Sequence, residues 1–177
     1  KCSKTYMFTL NEYYRVLKQR NAYLKNEKIN RDYLYVLDEK CAELQSIIIH
    51  QRYKFLQDLM NISLPFYEQL SLDHTKMSLA YKTFINVDDQ QKMKEDILKV
   101  YEDNFERDRL LKTTDKGIHK DDFKIMINDK EAEEFASQGQ KRTILLALKV
   151  GIVKLIERII KDEPILLLDD VFSELDE

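Results

Sequence analysis

Residues 135–149 read FASQGQKRTILLALK and residues 164–176 read PILLLDDVFSELD, and these two runs decide the fold. From Gln140 to Ile160 the chain has the length of a helix and is apolar on more than one face, with Ile144, Leu145, Leu148, Ile152, Leu155, Ile156 and Ile159. That pattern predicts burial within an α/β layer rather than a surface helix. Pro164 breaks the helix, and residues 165–168 form a continuous apolar run, as expected of a buried strand with parallel neighbours. The run closes on Asp169 and Asp170, just where open α/β sheets bind ligands. One carboxylate there can help hold a hydrated Mg²⁺ and the other can orient a water. Taken alone, the pair reads equally well as solvated loop or capping charge. Ser137 and Gly139 open the long helix, where free backbone N–H groups and the helix dipole favour an anion. Gly139 permits close backbone approach and Ser137 adds a hydroxyl, although a lone serine there is a plain helix N-cap.

Outward from these runs the chain is helical. Residues 9–25 place Leu10, Tyr13, Tyr14, Leu17 and Leu24 near a helical period, with Arg15, Lys18, Arg20 and Lys25 between them. Leu34, Leu37, Cys41, Leu44, Ile48, Phe55 and Leu59 predict a second helix of about 28 residues, with one break in the seam at Gln51 and a stop at Pro65. Residues 76–84 suggest a short extended segment. Asp88 is placed to cap a helix carrying Met93, Ile97, Tyr101 and Phe105. Residues 123–127 alternate as a strand does, and Asn128, Asp129 and Lys130 supply a turn. The expected fold is therefore mixed α and β, predominantly α-helical. A helical arm spans residues 1–111, and part of an α/β lobe follows over residues 112–177.

Composition limits the function classes. The 177 residues are 44% hydrophobic with three glycines and two prolines, which suits a folded, helix-rich chain. Two cysteines, Cys2 and Cys41, exclude a disulfide scaffold and point to a reducing, cytoplasmic setting. The most apolar stretch, residues 144–160, is interrupted by Lys149, Lys154, Glu157 and Arg158, so no membrane span is expected. Net charge is −3, which is not the footprint of a strongly basic nucleic-acid binder. The basic excess sits in the first sixty residues, where Arg15, Lys18, Arg20, Lys25, Lys28 and Arg31 are candidates for DNA-backbone contact as much as for a solvated helical face.

Residues 171–176, VFSELD, have the shape of an ABC D-loop, and SQGQKR at 137–142 resembles the ABC signature. The two opening runs, with LKQRN at 17–21 and GIHKDD at 117–122, resemble more closely the RecF family of bacterial replication and recombination-repair ATPases. That family commonly reads GPHRDD where this chain reads GIHKDD, which keeps His119, Asp121 and Asp122 but not the proline or the arginine. The resemblance implies that Asp169 is the Walker B carboxylate serving Mg²⁺ and that Asp170 stands where most ABC ATPases have a catalytic glutamate. It also implies that Ser137, Gln138, Gly139 and Gln140 contact the γ-phosphate of ATP held by a second protomer, with Ser173 and Asp176 along the dimer seam. For His119 the plainer reading is a packed or exposed histidine.

The chain contains no GxxxxGK[ST] motif, so it is expected to be an expressed fragment without the phosphate-loop lobe and inactive alone. The whole protein implied by the resemblance is an ATP-dependent homodimer on DNA gaps and single-strand/double-strand junctions, assisting RecA loading with RecO and RecR. One competing reading is another ABC ATPase, either a transporter subunit or a Rad50/SMC-like protein. Transporters usually carry LSGGQ with Asp-Glu, and SMC-like arms sustain far longer heptads. A third reading, a non-catalytic helical interaction module, requires SQGQKR and LLLDDVFSELD to have arisen by chance.

Overall fold

The structure, a computed structural model, describes residues 4–71 and 75–166. In chain order it contains α1 (Lys4–Tyr23), α2 (Arg31–Leu70), β1 (Met77–Lys82), α3 (Met93–Asp103), α4 (Phe105–Leu111), a 3₁₀ turn (Ile118–Lys120), β2 (Asp122–Ile127), β3 (Lys130–Glu131), α5 (Ala132–Phe135) and α6 (Gln138–Ile160). The mixed, predominantly helical fold is as expected. Its described residues fall into two compact units, each discontinuous in sequence. An amino-terminal unit holds residues 4–53 and 83–122, and a signature-helix unit holds residues 54–71, 75–82 and 123–166.

In the amino-terminal unit, α1 buries Tyr13, Val16, Leu17 and Arg20 at helical spacing. The early part of α2 buries Leu34, Leu37, Cys41, Leu44 and Ile48, and α3 buries Met93, Ile97 and Tyr101. Asp88 does not cap α3. Lys92 is the N-cap residue, without a side-chain cap, while Asp89 Oδ1 accepts from the backbone N–H groups of Gln91 and Lys92. The helix expected to continue to Phe105 is interrupted at Asn104, whose side chain donates to the Val100 carbonyl and whose own conformation is not helical.

Helix α2 is longer than the sequence predicts, 40 residues rather than about 28, because Pro65 lies inside it. Proline deprives the Asn61 carbonyl of its partner, but Asn61 and Pro65 are both on the exposed side, where water can satisfy that carbonyl. Buried Tyr67 lies beyond the proline and favours continuation. The seam also shifts: Phe55 is 49% exposed, and the buried positions run from Ile48 to Leu56, Leu59 and Ser63. The place between Ile48 and Leu56 at helical spacing is occupied by Arg52.

In the signature-helix unit, Tyr67, Met77, Ile127, Ala132, Ala136, Ile144 and Ala147 form the core, with Met60, Leu64, Phe66, Ile125 and Leu148 packed against it. The three strands lie in the order β1-β2-β3. β2 and β3 pair antiparallel, Met126 opposite Glu131 and Ile127 opposite Lys130. Asn128 and Asp129 between them both have positive φ, 46° and 64°, the hairpin conformation that short polar side chains tolerate best. Asn128 exchanges hydrogen bonds with Lys76, its N–H donating to the Lys76 carbonyl and its side-chain oxygen accepting from the Lys76 N–H.

Two expectations for this unit need correction. α6 is not buried all round: its buried face is Ile144, Ala147 and Gly151, whereas Leu145, Ile152 and Ile159 are exposed, at 54%, 41% and 57%. Among the described residues of α6 only that face is fully buried, while Leu146, Val150 and Val153 on the other side are half-buried. Residues 165–168 were expected to form a buried strand, but Ile165 and Leu166 are not in a strand and Ile165 is 90% exposed. No described strand lies beside them to pair, and residues 167 and 168 lie outside the described residues.

Candidate functional site

Ser137 sits at the N-cap of α6 in extended conformation, φ −63° and ψ 164°. Its Oγ accepts from the Gln140 N–H at 3.1 Å, and Gln140 Oε1 accepts from the Ser137 N–H at 2.8 Å, a complete capping box. The N-cap reading of Ser137 is therefore what its geometry shows. The box still leaves donors for an anion. A hydroxyl that accepts through oxygen retains its own proton to donate, and the first N–H groups of a helix have no intrahelical partner. Gln138 and Gly139 are exposed, and a Cβ built on Gly139 would meet only Ser137 Oγ, at 4.0 Å. This end of the helix is open and rich in donors, so it fits a phosphate oxygen.

Asp169, Asp170, Ser173 and Asp176 lie outside the described residues. Among the described residues, no group of three or more His, Cys, Asp and Glu side chains could hold a metal ion. No helix among the described residues is long and apolar enough to cross a membrane.

Of the DNA-contact candidates, Arg15, Lys18, Lys25 and Lys28 are exposed, with Arg15 held by Glu12 one turn away. Arg31 is exposed and lies 3.7 Å from the centroid of the Phe105 ring. Arg20 is a correction. It is 0% exposed, so it cannot meet a phosphate backbone. Its Nε lies 2.6 Å from Asp38, and its Nη1 lies 2.7 Å from Asp108 and 2.8 Å from Thr114 Oγ1. The guanidinium stands 4.3 Å from the centroid of Tyr101. Burial alone would lower its pKa, but Asp38, with smaller contributions from Tyr101 and Asp108, more than offsets this and holds it charged. From sequence, Arg20 differs from Lys18 only in falling on the stripe of Tyr13, Val16 and Leu24.

Residues 117–122 are absorbed into the same unit. A Cβ on Gly117 would stand 2.8 Å from Tyr13 Oη and 2.9 Å from the His119 ring, so a side chain there would have to displace both. His119 Nδ1 pairs with Tyr13 Oη at 3.3 Å. Partial burial, then the charge of Lys120, lowers the His119 pKa from its ordinary value. The Ile118 N–H donates to Gln45 Oε1 at 3.1 Å, and Gln45 Nε2 donates to Tyr101 Oη at 2.6 Å. Arg52 donates to Tyr6 Oη, to the Ile118 carbonyl and to Asp121, which also accepts from Thr83 Oγ1. Lys120, which stands where the related motif has arginine, is paired with Asp115 at 2.6 Å. His119 is thus an exposed residue whose ring is held by Tyr13. Sequence reasoning missed Gln45 and Arg52, whose only signal was a polar residue on an apolar helical stripe, and Asp108, which is the one buried residue of α4 and carried no such signal. Cys41 is buried nearby, and burial pushes its thiol up to about 12, which makes it unreactive.

No family model matches the chain. Curated relatives do. The DNA replication and repair protein RecF of Oenococcus oeni is 40% identical over 98% of this chain and 49% of its own length. That of Streptococcus uberis is 42% identical over 97% of this chain and 47% of its own. A solved structure of the recombination mediator protein RecF with ATP, from the RecFOR pathway, superposes with TM-score 0.87 at 34% identity, covering 99% of this chain and 48% of its own. The chain spans about half the length of the curated relatives it matches. Nearly the whole length of the chain is thus similar, in both sequence and structure, to about half of the RecF proteins of DNA replication and repair.

Proposed function

We propose that this chain acts as the carboxyl-side part of an ATP-dependent, DNA-binding protein of recombinational repair, with a helical arm over residues 1–111 and the signature segment of an ATPase lobe over residues 112–177. The observation that carries this reading is the superposition on ATP-bound RecF over nearly the whole chain, joined to an open, capped helix start at Ser137. In the full-length cytoplasmic protein, the α6 start contacts the γ-phosphate of ATP on a second copy, so that nucleotide draws two copies together on DNA. Asp169 would hold Mg²⁺, which would supply charge neutralisation at the phosphates. Asp170 holds and polarises the attacking water, while Ser173 and Asp176 line the dimer seam. Arg15, Lys18 and Lys25 remain the DNA candidates, making sequence-independent phosphate contacts. The RecFOR pathway of the structural relative supports RecO and RecR as partners, and RecA is the downstream recipient proposed here.

The test is Ser137→Arg in the full-length protein. ATP-driven dimerisation, followed by sedimentation, should be abolished while each monomer still binds ATP. A matched loss of monomer ATP binding would count against a contact made across the dimer. Asp170→Asn should slow single-turnover hydrolysis by roughly 10²-fold while sparing nucleotide binding. Unchanged hydrolysis would remove Asp170 from this role.

A further inference from the structure

Glycine is the poorest helix former after proline, yet Gly151 lies in the interior of α6. The reason is what faces it. A Cβ at Gly151 would stand 1.9 Å from Ser63 Oγ, 3.1 Å from Ser63 Cβ and 3.3 Å from Leu59 Cδ1, all on α2. Ser63 is 0% exposed, and its Oγ is a buried polar atom with no hydrogen-bond partner. A buried hydroxyl without a partner is unfavourable, and so is a mid-helix glycine. Both are kept at one point, where they let the two helix backbones approach closely. Ala147, one turn earlier on the same face of α6, is also fully buried and small.

We propose that the Gly151–Ser63 crossing is a positioning contact for the signature: it sets the height and tilt of α6 on α2 and thereby the place of Ser137. This rests on the function proposed above. Ser137 lies about 21 Å along the helix from Gly151. α6 has no proline and is closed at its start by the capping box, so it transmits a displacement at the crossing to its amino end. Rotation of Ser63 Oγ could relieve the closest clash of an added methyl. It would not relieve the approach to Ser63 Cβ, which is fixed to the α2 backbone, so α6 must shift by a few tenths of an ångström or tilt at the crossing, and a tilt grows over the about 21 Å to Ser137. An error on the order of 1 Å at a contact made across a dimer is enough to cost it most of its value.

The experiment uses the full-length protein with Gly151→Ala, Ser63→Gly, the double variant Gly151→Ala/Ser63→Gly, and Ser63→Val, which crowds the same crossing from the α2 side. ATP-driven dimerisation, monomer ATP binding and Tm are measured on each. Gly151→Ala and Ser63→Val should weaken dimerisation by about 10-fold or more while leaving monomer ATP binding unchanged. Ser63→Gly should restore the Gly151→Ala protein to near its original dimerisation. The proposal is overturned if both crowding variants dimerise normally, if the double variant is not rescued, or if Tm falls while dimerisation of the folded protein is unaffected. If Gly151→Ala fails to fold, Ser63→Val and the double variant decide by the same criteria. Ser137→Arg run alongside separates the two ideas. If it dimerises normally, the signature reading fails. If it does not dimerise while the crowding variants do, only the positioning inference fails.

Discussion

The largest fully buried side chain of the amino-terminal unit is an arginine, whereas in the signature-helix unit a glycine is packed so closely against a serine that it leaves no room for a Cβ. In the first, Arg20 ties α1 to Asp38 on α2, to Asp108 on α4 and to Thr114 in the following loop, while Gln45 joins Ile118 to Tyr101. Each hydrogen bond has a direction, so a helix that slipped by one turn would leave a buried charge or amide unpaired, a large penalty in a low-dielectric interior. In the second, the core is apolar and small residues set the helix spacing, so geometry is dictated by volume. One unit specifies its arrangement by partner identity and the other by size.

The largest effect should come from removing one partner of the buried ion pair. Asp108→Ala leaves Arg20 charged and under-compensated, and denaturant unfolding should show a loss of about 3–5 kcal/mol. Replacing Arg20, Asp38 and Asp108 together by apolar residues of similar volume should recover most of that loss, because no uncompensated charge is then left. A single-variant loss under 1 kcal/mol would break the contrast between the units. Next is Ile144→Ala, which opens space in the apolar core. The same measurement should give about 2–4 kcal/mol, and enlarging a neighbour to refill the space should recover part of it. The smallest effect concerns pH. The His119 pKa is lowered in the folded chain, so the unfolded chain binds the proton more readily. Stability from this group is fully present above the ordinary histidine value of about 6.5 and falls as pH drops through that value toward the folded one. His119→Asn should flatten this segment of the stability profile between pH 7 and 5, and an unchanged slope would show that His119 is not its source.

Much of this was legible in the sequence. Tyr13, Leu17 and Leu24 announce α1, and Met93, Ile97 and Tyr101 announce α3, because burial of one helical face leaves a period in the residues. The turn at Asn128 and Asp129 was readable because few residues accept positive φ. The candidate signature was readable as a capping box at the mouth of a long helix, since Ser137 and Gln140 are local partners. Pro65 misled because the rule that proline ends a helix assumes the freed carbonyl has nowhere to go, and exposure of Asn61 depends on tertiary packing.

By itself, then, the sequence determined most of the helices, the hairpin, the helix cap and the likeness to RecF, all of which depend on neighbours within a few positions or on runs of residues that survive as patterns. Only the tertiary structure decided that Arg20 is an interior ion rather than a surface cation, that Gly117 lies against Tyr13, and that Gly151 faces Ser63. Arg20 and Asp108 are 88 residues apart, and Tyr13, against which Gly117 lies, pairs with His119, 106 residues away. An isolated arginine or glycine carries no mark of what will be brought beside it, because burial and pairing are properties of the folded neighbourhood and not of the residue.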